Sequence, residues 1–265
     1  MYAFDYHRPA SLAEAAQLLA GNPEAKLLAG GQTYIPTLKQ RLAKPAAVID
    51  LGRIAELRGI QEEAGGLTIG ATTRHAEVAG SPLVKRVIPA LAALAEGIGD
   101  PQVRNCGTLG GSIANNDPAA DYPAAVVGLG ATVRTSKGRS IAGDDFFTGM
   151  FETALEPDEI VTAVHFPKPE KAAYAKFPNP ASRYAIVGVF LAKTAGGVRV
   201  AVTGAAPCVF RATALEQALA ASWSPAAIDG VTIDASNLNS DIHAQADYRA
   251  HLIKVMAKRA LAAAG

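Results

Sequence analysis

Two glycine-rich turns carry the residues best suited to bind a ligand. The first glycine segment is Leu28-Ala29-Gly30-Gly31-Gln32-Thr33, and the second glycine segment runs from Thr108 to Pro118, beginning Thr-Leu-Gly-Gly-Ser. Glycine tolerates positive φ and has no Cβ, so consecutive backbone N–H groups can converge on a closely approaching ligand. Such concavities bind anions, above all phosphates. The pair predicts a pyrophosphate held from two sides, with N–H donors from Gly30 to Tyr34 and from Thr108 to Ser112. Two purely structural turns are the alternative.

Hydroxyl and charged side chains near these turns are further candidates. The hydroxyls of Thr33, Thr108 and Ser112 can donate to the same anion. Asp121 is either an acceptor for a ligand N–H or O–H, or the N-cap of the helix that follows it. Lys176, on a predicted strand, is either an exposed lysine or a cation beside a cofactor ring.

Composition and motif spacing exclude several classes of protein. The 265 residues have a net charge of +1 and no long Lys/Arg cluster, so nucleic acid is not an expected partner. No stretch is apolar enough to span a bilayer and no signal peptide is evident, so we expect a cytoplasmic protein. The two cysteines cannot build a four-cysteine zinc or iron–sulfur site, and the histidines lack metal-ligand spacing. The glycine turns match neither the P-loop nor the Rossmann fingerprint.

The order of the elements predicts an α+β chain of three units. Strands on either side of the first glycine segment, with a helix between them, indicate an α/β lobe over residues 1–55. Hairpin signals, one of them at Ala64-Gly65-Gly66, and a helix predicted over Val87–Ile98 belong to a second lobe over residues 56–168. Three strands and two helices indicate a compact α+β unit over residues 169–265.

The two glycine segments resemble the FAD-binding motifs of the flavoprotein subunit of molybdenum hydroxylases. This is the medium subunit of aerobic carbon monoxide dehydrogenase and its relatives, similar to the central flavin domain of xanthine dehydrogenase. The stretches Gly99–Asn105, Asp117–Pro123, Asp144–Gly149 and Asp158–Val161 agree as well, so the resemblance runs nearly end to end. It implies an α+β fold, with a two-lobed FAD-binding domain of the vanillyl-alcohol-oxidase (PCMH) type followed by a small C-terminal α+β domain.

The resemblance also implies which residues bind the cofactor. Residues 27–34 and 108–112 would hold the pyrophosphate and adjoining groups, and Tyr184 would cover one face of the flavin. Gln32-Thr33 stand where the family often has His-Ser, and no histidine for covalent attachment is evident, so the FAD is expected to be non-covalent. Carried over by position, the cofactor-binding residues are Leu27, Leu28, Ala29, Gly30, Gly31, Gln32, Thr33, Tyr34, Ile98, Thr108, Gly110, Gly111, Ser112, Asp121, Val161, Lys176 and Tyr184.

The implied function is electron transfer. A large partner subunit with a molybdenum–pterin cofactor would oxidise a substrate, and electrons would pass through [2Fe–2S] clusters of a small subunit to this FAD and on to an external acceptor. The resemblance implies a dimer of such heterotrimers. The alternatives are a self-sufficient FAD-dependent oxidoreductase that acts directly on a small molecule, and a non-enzymatic nucleotide-binding module.

Overall fold

The computed structural model describes residues 1–63 and 65–265. Its N-terminal part contains β1 (Asp5–His7), α1 (Leu12–Gly21), β2 (Ala25–Leu28), α2 (Tyr34–Lys39) and β3 (Ala47–Asp50), followed by two short 3-10 turns at Leu51–Arg53 and Ala55–Leu57. The three strands form a parallel sheet in the order β1-β3-β2. Ser11 starts α1 because its hydroxyl accepts the backbone N–H of Glu14. The predicted α/β alternation around the first glycine segment is confirmed, with β1 as an additional strand.

The middle of the chain forms a five-stranded antiparallel sheet and a separate hairpin. The sheet strands are β4 (Ile60–Glu63), β5 (Gly66–Gly70), β6 (Thr132–Thr135), β7 (Ser140–Ala142) and β10 (Val161–Pro167), and the hairpin strands are β8 (Phe147–Gly149) and β9 (Glu152–Thr153). In space the sheet runs β4-β5-β10-β6-β7. The hairpin predicted at residues 60–70 is present as β4 and β5, but its residue Ala64 lies outside the described residues.

Helices cover this sheet with an apolar layer. They are α3 (His75–Gly80), α4 (Pro82–Val87), α5 (Pro89–Glu96), α6 (Pro101–Cys106), α7 (Leu109–Asn115), α8 (Tyr122–Gly128) and α9 (Gly143–Phe146). Leu91 and Leu94 of α5 and Val126 of α8 are fully buried in one apolar cluster that also includes sheet residues such as Val164. Burial of these side chains from water is the main force that holds the layer on the sheet.

Two predictions about helices in this region were wrong. The single helix expected over Val87–Ile98 is broken into α4 and α5, because Pro89 has no N–H to donate and Ile88 leaves the helical conformation (φ −138°, ψ 72°). The second glycine segment is not a turn, since residues 109–115 form α7 directly after Thr108. Its glycines therefore lie at the start of a helix.

The C-terminal part is a four-stranded antiparallel sheet packed by helices. Its elements are β11 (Lys171–Pro178), β12 (Ala185–Thr194), β13 (Gly197–Thr203), β14 (Phe210–Arg211), α10 (Thr213–Ala221), α11 (Pro225–Asp229) and α12 (Ala246–Ala264). The strands run in the order β11-β12-β13-β14, and α12 crosses β11 and β12. The predicted strands and the two predicted helices are confirmed, because β12 is a continuous apolar run and the helices have apolar residues at helical spacing.

The C-terminal sheet packs directly against the middle of the chain. Phe190 of β12 is fully buried in the core of the middle region, and a Cβ on Gly128 of α8 would lie 2.8 Å from its ring. In the same interface, β11 lies against α5, and β12 and β13 lie against α8. Each predicted unit contains one of the three larger sheets, and the boundaries at residues 55 and 168 stay a proposal. In the described part of the chain, no helix is both long and apolar enough to cross a membrane.

Candidate functional site

A cavity of about 640 Å³ lies where the two glycine segments meet. Pockets for ligands and cofactors typically have volumes of about 300–1,000 Å³. Its walls come from the end of β2, the starts of α2, α7 and β10, the residue before α8, and the loop between β11 and β12. The predicted site residues that line it are Leu27, Leu28, Ala29, Gly30, Gly31, Gln32, Thr33, Tyr34, Ile98, Thr108, Gly110, Gly111, Ser112, Asp121, Val161 and Tyr184.

The first glycine segment presents backbone N–H donors to this cavity. The chain turns at Gly31, whose φ of +70° is a conformation that glycine adopts readily. A Cβ on Gly30 would lie 2.3 Å from the carbonyl oxygen of Cys106 and 2.6 Å from the Cα of Gly107, so only glycine lets the two segments come together. Within the described residues, the backbone N–H groups of residues 30–33 have no acceptor. Such groups need water or a ligand as a partner.

The second glycine segment uses its N–H groups within the protein. Thr108 caps α7 by accepting the N–H of Gly111 at its Oγ1, at 3.1 Å. The other pairs of this first turn are Leu109 N to Thr73 O (3.1 Å), Gly110 N to Ala71 O (2.8 Å) and Ser112 N to Thr108 O (3.0 Å). The expectation that residues 109–112 supply free N–H donors is therefore wrong. The N–H of Thr108 has no acceptor among the described residues, so the donors left to this segment are that N–H and the hydroxyls of Thr108 and Ser112.

The two glycines of α7 meet different neighbours. A Cβ on Gly110 would lie 2.5 Å from the Cβ of Ala71, so this glycine allows α7 to pack closely on the chain after β5. A Cβ on Gly111 would lie 2.8 Å from Thr108 Oγ1 and 3.6 Å from the Cβ of Ala29, which belongs to the first segment. Gly111 thus lies in the gap between the two segments, where a larger side chain would occupy cavity space.

Asp121 belongs to a buried polar cluster. Its side chain makes no capping bond to α8, so the N-cap interpretation is not supported. Instead Oδ1 lies 3.0 Å from Lys176 Nζ and accepts the hydroxyl of Tyr174 at 2.5 Å, while Lys176 also donates to the carbonyl oxygen of Gly97 at 2.8 Å. Burial raises the pKa of Asp121, and the charge of Lys176 and the bonds from Tyr174 and Lys176 oppose that rise. The Lys176 side chain is 10% exposed, so it is not an ordinary surface lysine, and it lies behind Asp121 rather than on the cavity wall.

The mouth of the cavity contains two unusual backbone conformations. Arg183 (φ 63°) and Phe151 (φ 57°) line the cavity in the left-handed region that few residues other than glycine adopt. Arg183 donates to the carbonyl oxygen of Gly99 at 3.1 Å, which ties the loop after β11 to the chain after α5. The neighbouring Tyr184 is 45% exposed, and Phe151 is 55% exposed. Aromatic surface is therefore available at the entrance.

Sequence reasoning missed His75 as well as Phe151 and Arg183. His75 lines the cavity, is buried, and its Nδ1 has no hydrogen-bond partner among the described residues. Burial lowers its pKa to about 4, so the ring is neutral at pH 7. The predicted site residue Tyr34 likewise has a buried hydroxyl without a partner there. The signal that could have identified His75 is its position, directly after a polar run that leaves β5.

Comparisons with known proteins agree over nearly the whole chain. A family described as "FAD binding domain in molybdopterin dehydrogenase" matches residues 2–169, and one described as "CO dehydrogenase flavoprotein C-terminal domain" matches residues 172–264. The nicotine 6-hydroxylase medium subunit of Paenarthrobacter nicotinovorans is 34% identical over 276 residues, covering 99% of this chain and 98% of that protein. The carbon monoxide dehydrogenase medium chain of Hydrogenophaga pseudoflava is 36% identical over 278 residues, covering 98% and 96%.

Solved structures give the same result. The carbon monoxide dehydrogenase of Hydrogenophaga pseudoflava, in a form that lacks the Mo-pyranopterin moiety of its molybdenum cofactor, contains a chain that matches with a TM-score of 0.90. That chain is 38% identical, and the match covers 99% of this chain and 97% of the other. The fold of the whole chain is therefore shared with a chain of a known carbon monoxide dehydrogenase.

Proposed function

The chain belongs to the FAD-binding medium subunits of the molybdenum hydroxylases, and we propose that it passes electrons from the [2Fe–2S] clusters of a partner subunit, through FAD, to an external acceptor. It is a flavoprotein subunit of an oxidoreductase, as its relatives are. The observation that carries the proposal is the row of N–H groups at residues 30–33, beside the cavity, for which the described part of the chain provides no acceptor.

The residues around the cavity fit FAD. A pyrophosphate needs several donors, which the N–H groups of residues 30–33 and the hydroxyls of Thr33, Thr108 and Ser112 supply. The missing side chain of Gly111 leaves room between the segments. The buried hydroxyl of Tyr34 lacks a partner within the described residues, as expected for a group that contacts a ligand.

The remaining site residues are proposed to bind and orient the flavin half of the cofactor. Asp121 would accept an N–H or O–H of the ligand, with Lys176 acting on it through Asp121. Ile98 and Val161 would provide the apolar wall, and Tyr184 would cover the ring from the mouth. Residues 27–29 would pack against the cofactor beside the pyrophosphate donors.

When bound, FAD supplies the redox chemistry, because its ring system accepts and releases electrons. The chain contributes binding, orientation and shielding of the ligand from water. The relatives named above are a medium subunit and a medium chain, so this chain is a medium subunit of a multi-subunit enzyme. We propose a molybdopterin-binding large subunit and a [2Fe–2S] small subunit as its partners, in a dimer of heterotrimers.

Spectroscopy of the full chain tests the cofactor assignment. The chain is purified with added FAD, and the visible spectrum is recorded before and after denaturation and filtration. We expect a flavin spectrum that moves entirely into the filtrate and is identified as FAD. Colour retained on the protein would contradict non-covalent binding, and a chain that takes up no FAD would contradict the proposed site.

Co-expression with the candidate large and small subunits tests the electron path. We expect a complex whose mass in light scattering equals that of two heterotrimers, and in which the substrate of the large subunit bleaches the flavin absorbance. Bleaching of the isolated chain by a small organic substrate would instead support a self-sufficient oxidoreductase.

A further inference from the structure

Tyr174 does not line the cavity, but its hydroxyl contacts Asp121, which does. It stands on β11 two residues before Lys176, and its hydroxyl donates to Oδ1 of Asp121. Lys176 reaches both carboxylate oxygens, at 3.0 Å to Oδ1 and 3.2 Å to Oδ2. A carboxylate has about four lone-pair sites. The hydrogen bonds from Tyr174 to Oδ1 and from Lys176 to Oδ2 leave acceptor capacity on Asp121 for a group in the cavity.

The position of the Tyr174 hydroxyl depends on a glycine in the neighbouring strand. A Cβ on Gly188 of β12 would lie 2.2 Å from the Tyr174 hydroxyl oxygen, so any other residue there would displace it. The Tyr174 ring also lies 6.2 Å from the ring of its cross-strand partner Phe190, centroid to centroid, in a stacked arrangement. The ring is thus fixed on two sides, and the hydroxyl has one direction in which to donate.

The electrostatics of the cluster give this hydrogen bond a defined role. Burial raises the pKa of the Tyr174 hydroxyl well above its usual range, so it remains a donor at every physiological pH. Its bond favours the charged form of Asp121, as does the positive charge of Lys176. Burial raises the pKa of Tyr122 and of Tyr184, and the charge of Asp121 adds to the rise in both.

We propose that Tyr174 is a positioning residue of the cofactor site, which fixes the Asp121 carboxylate so that its remaining lone pairs accept an N–H or O–H of the bound flavin. The inference rests on the proposed function, because it assigns Asp121 to FAD. It adds a residue outside the cavity wall, together with Gly188, whose lack of a side chain makes room for it.

The test is a double-mutant cycle on FAD binding by the full chain. FAD is titrated into the flavin-free wild type, Tyr174→Phe, Asp121→Ala and the double variant, from pH 5.5 to 8, with flavin fluorescence as the readout. Loss of a hydrogen bond to a charged group corresponds to about tenfold weaker binding for Tyr174→Phe. The acid limb of the binding curve is expected to move to higher pH, since the bond favours the charged carboxylate. In the Asp121→Ala background, which has no acceptor for the hydroxyl, Tyr174→Phe should have less than about a twofold effect.

Gly188→Ala is a second way to disturb the bond between Tyr174 and Asp121, because the added methyl group displaces the Tyr174 hydroxyl and leaves the tyrosine in place. It should weaken FAD binding in the same direction, and it decides the question if Tyr174→Phe does not fold by circular dichroism. Tyr248→Phe, at an exposed tyrosine of α12, is the matched control and should bind as wild type.

Unchanged affinity in Tyr174→Phe, or an equal loss with and without Asp121, would overturn this inference while the wild type still binds FAD. Failure of the wild type itself to bind FAD would overturn the proposed function as well, so the two failures are distinguishable.

Discussion

The two glycine segments share a Gly-Gly-polar pattern but contribute differently to the site. In the first, the N–H groups of residues 30–33 have no acceptor among the described residues, and Gly31 turns the chain with positive φ. In the second, the N–H groups of residues 109–112 are all paired with protein oxygens, because that segment is the first turn of α7. The comparison teaches that a glycine motif determines how closely a ligand can approach the backbone. The surrounding fold determines which backbone N–H groups are left to bind that ligand.

The largest expected effect comes from Gly111→Val in the second segment. Its side chain would fill the gap between Thr108 and Ala29, so we expect FAD retention through purification to be abolished. Valine has a better helix propensity than glycine, so the flavin-free chain should stay folded. Gly111→Ala, which requires only a shift of the Thr108 hydroxyl, should weaken binding by about tenfold, or about 1.4 kcal/mol.

The measurement is an FAD titration together with urea unfolding of the flavin-free variants. Gly80→Val is the control, because a Cβ on Gly80 meets no atom within 4 Å. Full flavin occupancy in Gly111→Val would contradict the placement of the pyrophosphate between the segments.

Gly30→Ala in the first segment should act by separating the two segments. The added methyl group would lie 2.3 Å from the Cys106 carbonyl oxygen, which is backbone and cannot rotate away. We expect FAD affinity to fall by about 100-fold and the free energy of unfolding by about 1–3 kcal/mol. If Gly30→Ala loses as much FAD affinity as Gly111→Val but keeps full stability, Gly30 acts on the ligand and not on the packing of the two segments.

The sequence predicted which residues surround the cavity better than it predicted how they are bonded. The strand that enters the first segment and the antiparallel C-terminal strands were readable, because their apolar spacing is local. The pairing of Leu109 and Gly110 was not, since their acceptors, Thr73 and Ala71, come from a distant part of the chain. The position of Lys176 behind Asp121 depends in the same way on how β11 packs against α5.

His75 adds to the comparison of the two segments, because it contacts Gly107, the residue directly before the second segment. Its backbone N–H donates to the carbonyl oxygen of Gly107, and its ring lies against the Gly107 Cα. Burial lowers its pKa from 6.5 to about 4, so the unfolded chain binds a proton more readily than the folded one. The stability that depends on a neutral His75 ring is therefore present above pH 6.5 and is lost as the pH falls from 6.5 towards 4. Between pH 7 and pH 5 the wild type should lose about 2 kcal/mol more unfolding free energy than His75→Gln.

Urea unfolding at the two pH values measures this difference, with the exposed His251→Gln as the control. If His75→Gln shows the same pH dependence as the wild type, the buried ring takes up its proton without cost, and the neutral-histidine interpretation is wrong.

The smallest expected effects come from the two threonines, and they separate capping from ligand binding. Thr108 Oγ1 caps α7, so Thr108→Ala should lower the free energy of unfolding by about 1 kcal/mol, whereas Thr108→Ser should restore it. Thr33 precedes α2 without a side-chain cap, so Thr33→Ala should change stability by less than about 0.5 kcal/mol. Both hydroxyls are proposed donors to the pyrophosphate, so each alanine variant should weaken FAD binding by about three- to tenfold. If Thr33→Ala leaves FAD affinity unchanged, the first segment binds through its backbone alone, and the difference between the two segments is larger than proposed.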